Sequence, residues 1–183
     1  MSGQLPAQNV QAFRGVLPRV GRGSWIHDSA RVLGDVVLGD NVSIWCSAVI
    51  RGDVNSIRIG AGSNIQDNSV LHVSHKTVRD PMGAPLMIGA NVTVGHSVIL
   101  HGCTISDECL IGMGSIVMDK VMIEPRVLLG AGSLVPEGKV LSGGHLYIGR
   151  PAKLIRPLTD EELAYFSYSA EHYVKLARDY QQG

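Results

Sequence analysis

Aliphatic residues recur every six positions through most of this 183-residue chain, and few folds tolerate that period. Ile26, Val32, Leu38, Ile44 and Ile50 form one run; Ile59, Ile65 and Leu71 form a second; Ile88, Val94 and Leu100 form a third. Six is neither the helical period of 3.6 nor the strand period of 2. An aliphatic followed by Gly, Asp or Asn, with a small residue four further on, signals a parallel β-helix in which each hexad makes one flat side. Three sides close a triangular coil of about eighteen residues. Three extra residues, at 56–58, break the period once. After a step shortened by one, the pattern continues through Ile105, Ile111, Val117, Ile123, Leu129 and Val135, for roughly six coils.

The period fixes where three histidines stand. Leu71 and Leu100 are 29 residues apart, one coil plus an eleven-residue excursion, so His72 and His101 share a lateral position on adjacent coils. Adjacent coils lie one strand spacing apart, about 4.8 Å, which lets two imidazoles reach one ion. The same offset stacks His96 on Asp67, one side of the triangle earlier. His96 therefore stands around a corner from His101. Five extended residues span up to ~16 Å, less across a bend, so one chain is poorly placed to close a three-histidine site. A neighbouring subunit would close it.

Composition excludes several classes. Net charge is zero and the pI is 7.1, so nothing global points to nucleic acid or an anionic membrane. Aromatics make up 5% against 22 glycines, which suits tight turns and a Val/Ile/Leu core. Three cysteines (Cys46, Cys103, Cys109) without a Cys-x-x-Cys pair disfavour a disulfide framework, and Cys103 and Cys109 read as small core or corner residues. No apolar run approaches a membrane span, and no basic patch followed by an apolar run opens the chain, so a cytoplasmic protein is expected.

Residues 1–24, with Pro6, Pro18, Gly15, Gly21 and Gly23, read as an irregular cap leading into the first coil. The interruption at 76–87 leaves the solenoid just after His72 and could overhang the histidines. The solenoid is expected to end near Leu158. Thr159 with Glu162 forms a capping box, and Leu163, Phe166, Ala170, Tyr173, Val174 and Ala177 follow at helical spacing, so 159–180 is an amphipathic helix lying along one side. The organisation is one domain, a solenoid over 1–158 and a helix over 159–183.

Three neutral imidazoles suffice for a catalytic zinc that keeps its fourth position for water. Arg51 lies one coil from His72 in the same column, while Gln66 and Asp67 lie on the adjoining side, Asp67 beside His96. A carboxylate next to a ligand imidazole can orient it. The bland alternative is a polar, solvated corner. Gly60-Ala61-Gly62 and Gly130-Ala131-Gly132 are turns without the Lys-Ser/Thr of a phosphate loop. His27, His145 and His172 have no partner at ligand spacing, and His75 reads as a loop residue or a spare ligand.

Arg51-Gly52-Asp53, Asn64-Ile65-Gln66-Asp67, Leu71-His72 and Gly95-His96-Ser97-Val98-Ile99-Leu100-His101-Gly102 resemble the gamma-class carbonic anhydrases. The resemblance runs from about Phe13 to Tyr180. It implies a left-handed parallel β-helix trimer with zinc, or ferrous iron, at each subunit interface, His72 and His101 coming from one chain and His96 from the next. It also implies reversible hydration of CO2 to bicarbonate by metal-bound hydroxide. Arg51 and Asp67 look like an inter-subunit pair, Gln66 like the residue that positions the hydroxide, and Asp53 like a member of the same network. The archetypal enzymes carry a glutamate where this chain has Val54, and a proton-shuttling glutamate in an acidic loop that here reads Val73-Ser74-His75-Lys76. Metal binding is expected to survive that loss, and His75 is the candidate substitute. Because fold does not decide function, two rivals stand: an acyl-CoA-dependent acyltransferase or thioesterase, and a non-catalytic metal-binding scaffold.

Overall fold

The computed structural model describes residues 9–182. The chain folds into a left-handed parallel β-helix with one C-terminal helix, Asp160–Gln182. The hexad explains the coil directly. The recurring aliphatics (Ile44, Ile50, Ile65, Leu71, Val94, Leu100, Ile111, Leu129) point inward and are fully buried. Corners require a left-handed residue. Asn41, Asn68 and Asn91 supply it at φ 56°, 60° and 55°, a conformation that costs most L-residues roughly 1–2 kcal/mol but suits Asn. Ser97, at φ 58°, turns the chain immediately after His96.

Three stacks of rungs make the triangle. The first runs from Trp25–Ile26 through Ser43–Ile44, Asn64–Ile65 and Thr93–Val94 to His145–Gly149. The second holds Val70–His72, Ile99–His101, Ile116–Val117 and Leu134–Val135, and the third holds Leu86–Ile88, Thr104–Ile105, Met122–Ile123 and Val140–Leu141. The strand Val49–Ile59 spans the second and third sides: Ile50 pairs with Leu71 and Ile59 with Ile88. The hexad continues past Val135 through Leu141 and Tyr147, two rungs beyond the expected end of the count. Serine hydroxyls reinforce the corners: Ser63 Oγ donates to Gly89 O and accepts from Val92 N–H, and Ser69 does the same with Gly95 and Val98.

Four expectations need correction. The three extra residues fall within 53–56, four residues opposite the single Asp35, and not at 56–58, because Gly34 pairs with Gly52 while Val36 already pairs with Ile57. Gly34 allows this close passage at φ 80°; a Cβ there would lie 2.2 Å from the Gly52 carbonyl oxygen. The excursion after His72 is shorter than 76–87: Ser74 and Ala84 exchange backbone hydrogen bonds, and Leu86 and Met87 are already in a strand. Its tip, Val78, is fully exposed, and its base reaches His101 through Asp119, which Ser74 Oγ hydrogen-bonds. The N-terminal segment is not wholly irregular, since Val10–Gln11 and Arg19–Val20 pair with Arg31–Leu38; the part of the cap before residue 9 lies outside the described residues. Finally, His145–Gly149 and Ala152–Pro157 form an antiparallel hairpin that closes the last coil.

The helix forms as its capping box dictates. Thr159 N–H donates to Glu162 Oε2 (2.9 Å) and Glu162 N–H to Thr159 Oγ1 (3.2 Å). Its buried face (Phe166, Ser169, Ala170, Ala177) lies on the first side, and Trp45 meets Tyr173 and Tyr180 edge-on there. Cys103 and Cys109 are buried in the core, where desolvation pushes the Cys109 thiol up to about 11. Among the described residues no helix is long and apolar enough to cross a membrane.

Candidate metal centre

The register of the second side pairs Leu71 with Leu100 and His72 with His101, so the two imidazoles sit on adjacent rungs. Each leaves the strand outward, next to an inward leucine. His72 Nδ1 and His101 Nε2 lie 3.1 Å apart. Two ligand nitrogens of one tetrahedral zinc, at Zn–N about 2.0–2.1 Å, are separated by about 3.3 Å, so the donor set fits such an ion.

Each outer ring nitrogen is held by a carboxylate. His72 Nε2 meets Asp53 Oδ1 at 3.0 Å and His101 Nδ1 meets Asp119 Oδ1 at 2.5 Å. A carboxylate only accepts, so the ring nitrogens facing it carry the protons, and the lone pairs of His72 Nδ1 and His101 Nε2 converge. His96 repeats the pattern around the corner, with Nδ1 2.8 Å from Asp67 Oδ2 and Nε2 left over. Among the described residues of one chain, no group of three or more His, Cys, Asp or Glu is disposed to hold a metal ion. The pair alone is an incomplete site.

The misplaced insertion matters here. Because the extra residues fall within 53–56, Asp53 projects from the bulge toward His72. Burial would raise its carboxyl, but hydrogen bonds from Arg51 (2.6 Å) and His72, with the Arg51 charge, carry it below its ordinary value. Arg51 stands over His72 in the column and spends its guanidinium on Asp53, while Asp67 holds His96. The Arg51–Asp67 bridge implied by the resemblance thus does not form within one chain.

Gln66 is buried beside this corner. Its Nε2 donates to Asn64 Oδ1 (3.1 Å), Asn64 Nδ2 donates to Thr93 Oγ1 (3.1 Å), and Thr93 shares a 2.9 Å hydrogen bond with Ser169 of the helix. The Tyr173 hydroxyl also meets Gln66, and burial, with Asp67 and Tyr165 nearby, raises its pKa. The helix therefore braces the residue that flanks His96. His75 is exposed on the excursion, while His27, His145 and His172 engage Ser29, Gly143 O and Tyr168 away from the pair.

Sequence reasoning missed Asp119, Ser74 and the site-facing role of Tyr173. Asp119 had a signal. Leu100 pairs with Val117, so Asp119 stands over Gly102, one coil beyond the histidine pair. Column counting carried forward from His101 would have found it.

Comparison with known proteins decides the family. Residues 18–52 match the bacterial transferase hexapeptide (six repeats) family. The chain is 53% identical to Protein YrdA of Escherichia coli over 93% of both chains. It is 41% identical to a carbonic anhydrase of Geobacillus kaustophilus, over 93% of this chain and 90% of that one. This chain belongs to the gamma carbonic anhydrase-like family of hexapeptide-repeat proteins. Identity to the mitochondrial gamma carbonic anhydrase 2 of Arabidopsis thaliana is 45% over 88% of this chain, which spans 58% of that longer protein. Among solved structures, a hexapeptide transferase family protein from Anaplasma phagocytophilum superposes with a TM-score of 0.87 at 45% identity, covering 93% of this chain and 97% of that one.

Proposed function

We propose that this protein is a zinc-dependent carbonic anhydrase of the gamma type, hydrating CO2 reversibly at sites shared between the subunits of a trimer. The observation that carries this reading is the convergence of His72 Nδ1 and His101 Nε2 at 3.1 Å, with both outer nitrogens held by carboxylates. His96, oriented by Asp67 but around the corner, supplies the third ligand from a second copy. Its route to the site is supported by an apolar column beside the histidines. Val70 and Ile99 precede Leu71 and Leu100 in the second side and remain 40% and 41% exposed. Val49, Ile116 and Leu134 extend the same column.

Bound zinc, or ferrous iron in its place, would supply a Lewis acid that makes a coordinated water acidic at neutral pH. The chain's own residues do the rest. Asp53, Asp67 and Asp119 fix the imidazole tautomers, Arg51 keeps Asp53 ionised, and Gln66, held by Asn64, presents its amide beside His96 to orient the reacting oxygen. His75, exposed on the excursion, accepts the proton in place of the missing glutamate and passes it to bulk buffer.

The test is stopped-flow CO2 hydration on zinc-loaded protein, and on ferrous protein kept anaerobic, beside His101→Ala. Metal-dependent hydration lost in the variant supports the reading; bound metal without hydration contradicts it. His75→Ala should lower turnover by about 10²-fold at low buffer and recover with added imidazole.

An acyl-transfer reading has one observation in its favour. A groove of about 380 Å3, lined by Leu110, Leu128, Tyr165 and Tyr173, opens between the helix and the solenoid and has His96 in its wall. Stabilisation of the protein by coenzyme A in a thermal melt would support that reading, and its absence would count against it.

A further inference from the structure

Asp119 touches His101 on one side and the excursion on the other. Its Oδ1 accepts from His101 Nδ1 at 2.5 Å, and its Oδ2 accepts from the Ser74 hydroxyl at 2.6 Å. Ser74 is the first residue of the excursion's base, bridged to Ala84 and held again by Asn55, whose Nδ2 donates to Ser74 O (3.0 Å) and Met82 O (2.9 Å). Lys120, next in the chain, ties the excursion from its far side through Asp80 at 2.5 Å. Asp119 itself is partly buried, its side chain 24% exposed, and it packs over Gly102, where a Cβ would lie 2.4 Å from its Oδ1. The glycine that follows His101 is therefore the space in which this carboxylate reaches the ring.

We infer that Asp119 and Ser74 are positioning residues for the metal centre, with Asp119 locking His101 as its Nδ1–H tautomer and Ser74 locking Asp119 to the base of the excursion. The chemistry is that of a carboxylate behind a metal-ligating imidazole: it selects which nitrogen keeps a lone pair, fixes the ring plane and makes the ligand more basic. His101 Nε2 is then the nitrogen that faces His72. A second consequence concerns the excursion. Because Ser74 O and Met82 O share one donor, Asn55, and Ser74 Oγ shares Asp119 with His101, the base of the excursion and the imidazole are parts of one hydrogen-bonded unit. The inference rests on the metal-site reading, and its test separates the two.

Zinc affinity, measured by competition with a chromophoric chelator, is compared for the wild type, Asp119→Ala, Asp119→Asn and Ser74→Ala. The His101 tautomer is read in parallel on metal-free protein by 15N chemical shifts of labelled histidine, assigned with His101→Gln. Asp119→Ala should weaken zinc by about 10–100-fold and release the Nδ1–H tautomer. Asp119→Asn, whose amide oxygen still accepts from Nδ1–H, should keep the tautomer and lose less affinity. Ser74→Ala should lose on the order of threefold to tenfold. Circular dichroism and size-exclusion elution identify any variant that fails to fold, and the near-isosteric Asn variant then carries the comparison with Ser74→Ala. Unchanged affinity in Asp119→Ala, or a fall in affinity with an unchanged tautomer, overturns the inference. Wild-type protein that binds neither zinc nor ferrous iron would sink the metal-site reading instead, and the tautomer shift would still decide whether Asp119 holds His101.

Discussion

On the first side of the triangle the outward residues Ser43, Asn64 and Thr93 lie buried beneath the C-terminal helix, whereas on the second side Val70 and Ile99 stay exposed and His72 and His101 partly exposed. Inward, the two sides are alike: Ile44, Ile65 and Val94 match Ile50, Leu71 and Leu100, all fully buried. The hexad thus builds the same core on every side and leaves outward positions free to differ. Where the chain supplies its own cover, the outward groups are small and polar and close a hydrogen-bonded chain from Gln66 to Ser169. Where it does not, aliphatics alternate with imidazoles, a surface suited to a second copy that completes a metal site.

Substitutions should separate the two sides. Phe166→Ala removes the largest buried side chain of the helix and should cost about 3–5 kcal/mol in denaturant unfolding. Zinc bound per folded chain should stay unchanged, because His72 and His101 lie on the second side and Phe166 does not line the groove that His96 shares with Tyr165 and Tyr173. A variant that lost metal without losing stability would show that the helix acts on the site directly. Ile99→Asp should do the converse: little change in unfolding of the isolated chain, weakened association by about 1–3 kcal/mol as the carboxylate is desolvated, and metal lost with the assembly in light scattering and metal analysis. An assembled, metal-replete Ile99→Asp protein would remove the second side as the interface.

The smallest effect is one of pH. Hydrogen bonds from Arg156 and Thr159 hold the Glu162 carboxyl at about 2, against an ordinary 4.5. A depressed pKa stabilises the fold above the unfolded value and loses that contribution as pH falls from about 4.5 toward 2. The helix should therefore loosen first in acid, seen as exposure of Trp25 and Trp45 in fluorescence, and Glu162→Gln should flatten that dependence. An identical acid profile in the variant would remove the capping box as its cause.

How much of this could be read from the residues follows from where each constraint originates. The His72–His101 pairing and the Asp67–His96 stack were legible because a solenoid turns sequence offset into spatial register. The Thr159–Glu162 box was legible because capping is local. Asp53 could be read as part of the Arg51-Gly52-Asp53 motif, but its contact with His72 could not, since counting hexads gives the number of extra residues and not the corner that absorbs them. The Gln66 brace was invisible because its last partner, Ser169, comes from a helix 76 residues after Thr93. The hairpin of Ala152–Pro157 carries no hexad at all and forms by pairing with the final rung.

The central claim is that one chain's His72 and His101 share an ion with another chain's His96. Co-expression of His96→Ala and His101→Ala chains tests it most directly, because neither variant alone can then bind metal while a mixed trimer can. With statistical mixing around a ring, roughly a quarter of the interfaces should pair an intact His101 with an intact neighbouring His96 and regain zinc. Zinc restored only in the mixed assembly is the predicted result. No restoration in verified mixed trimers, or full zinc in either variant alone, would contradict the account.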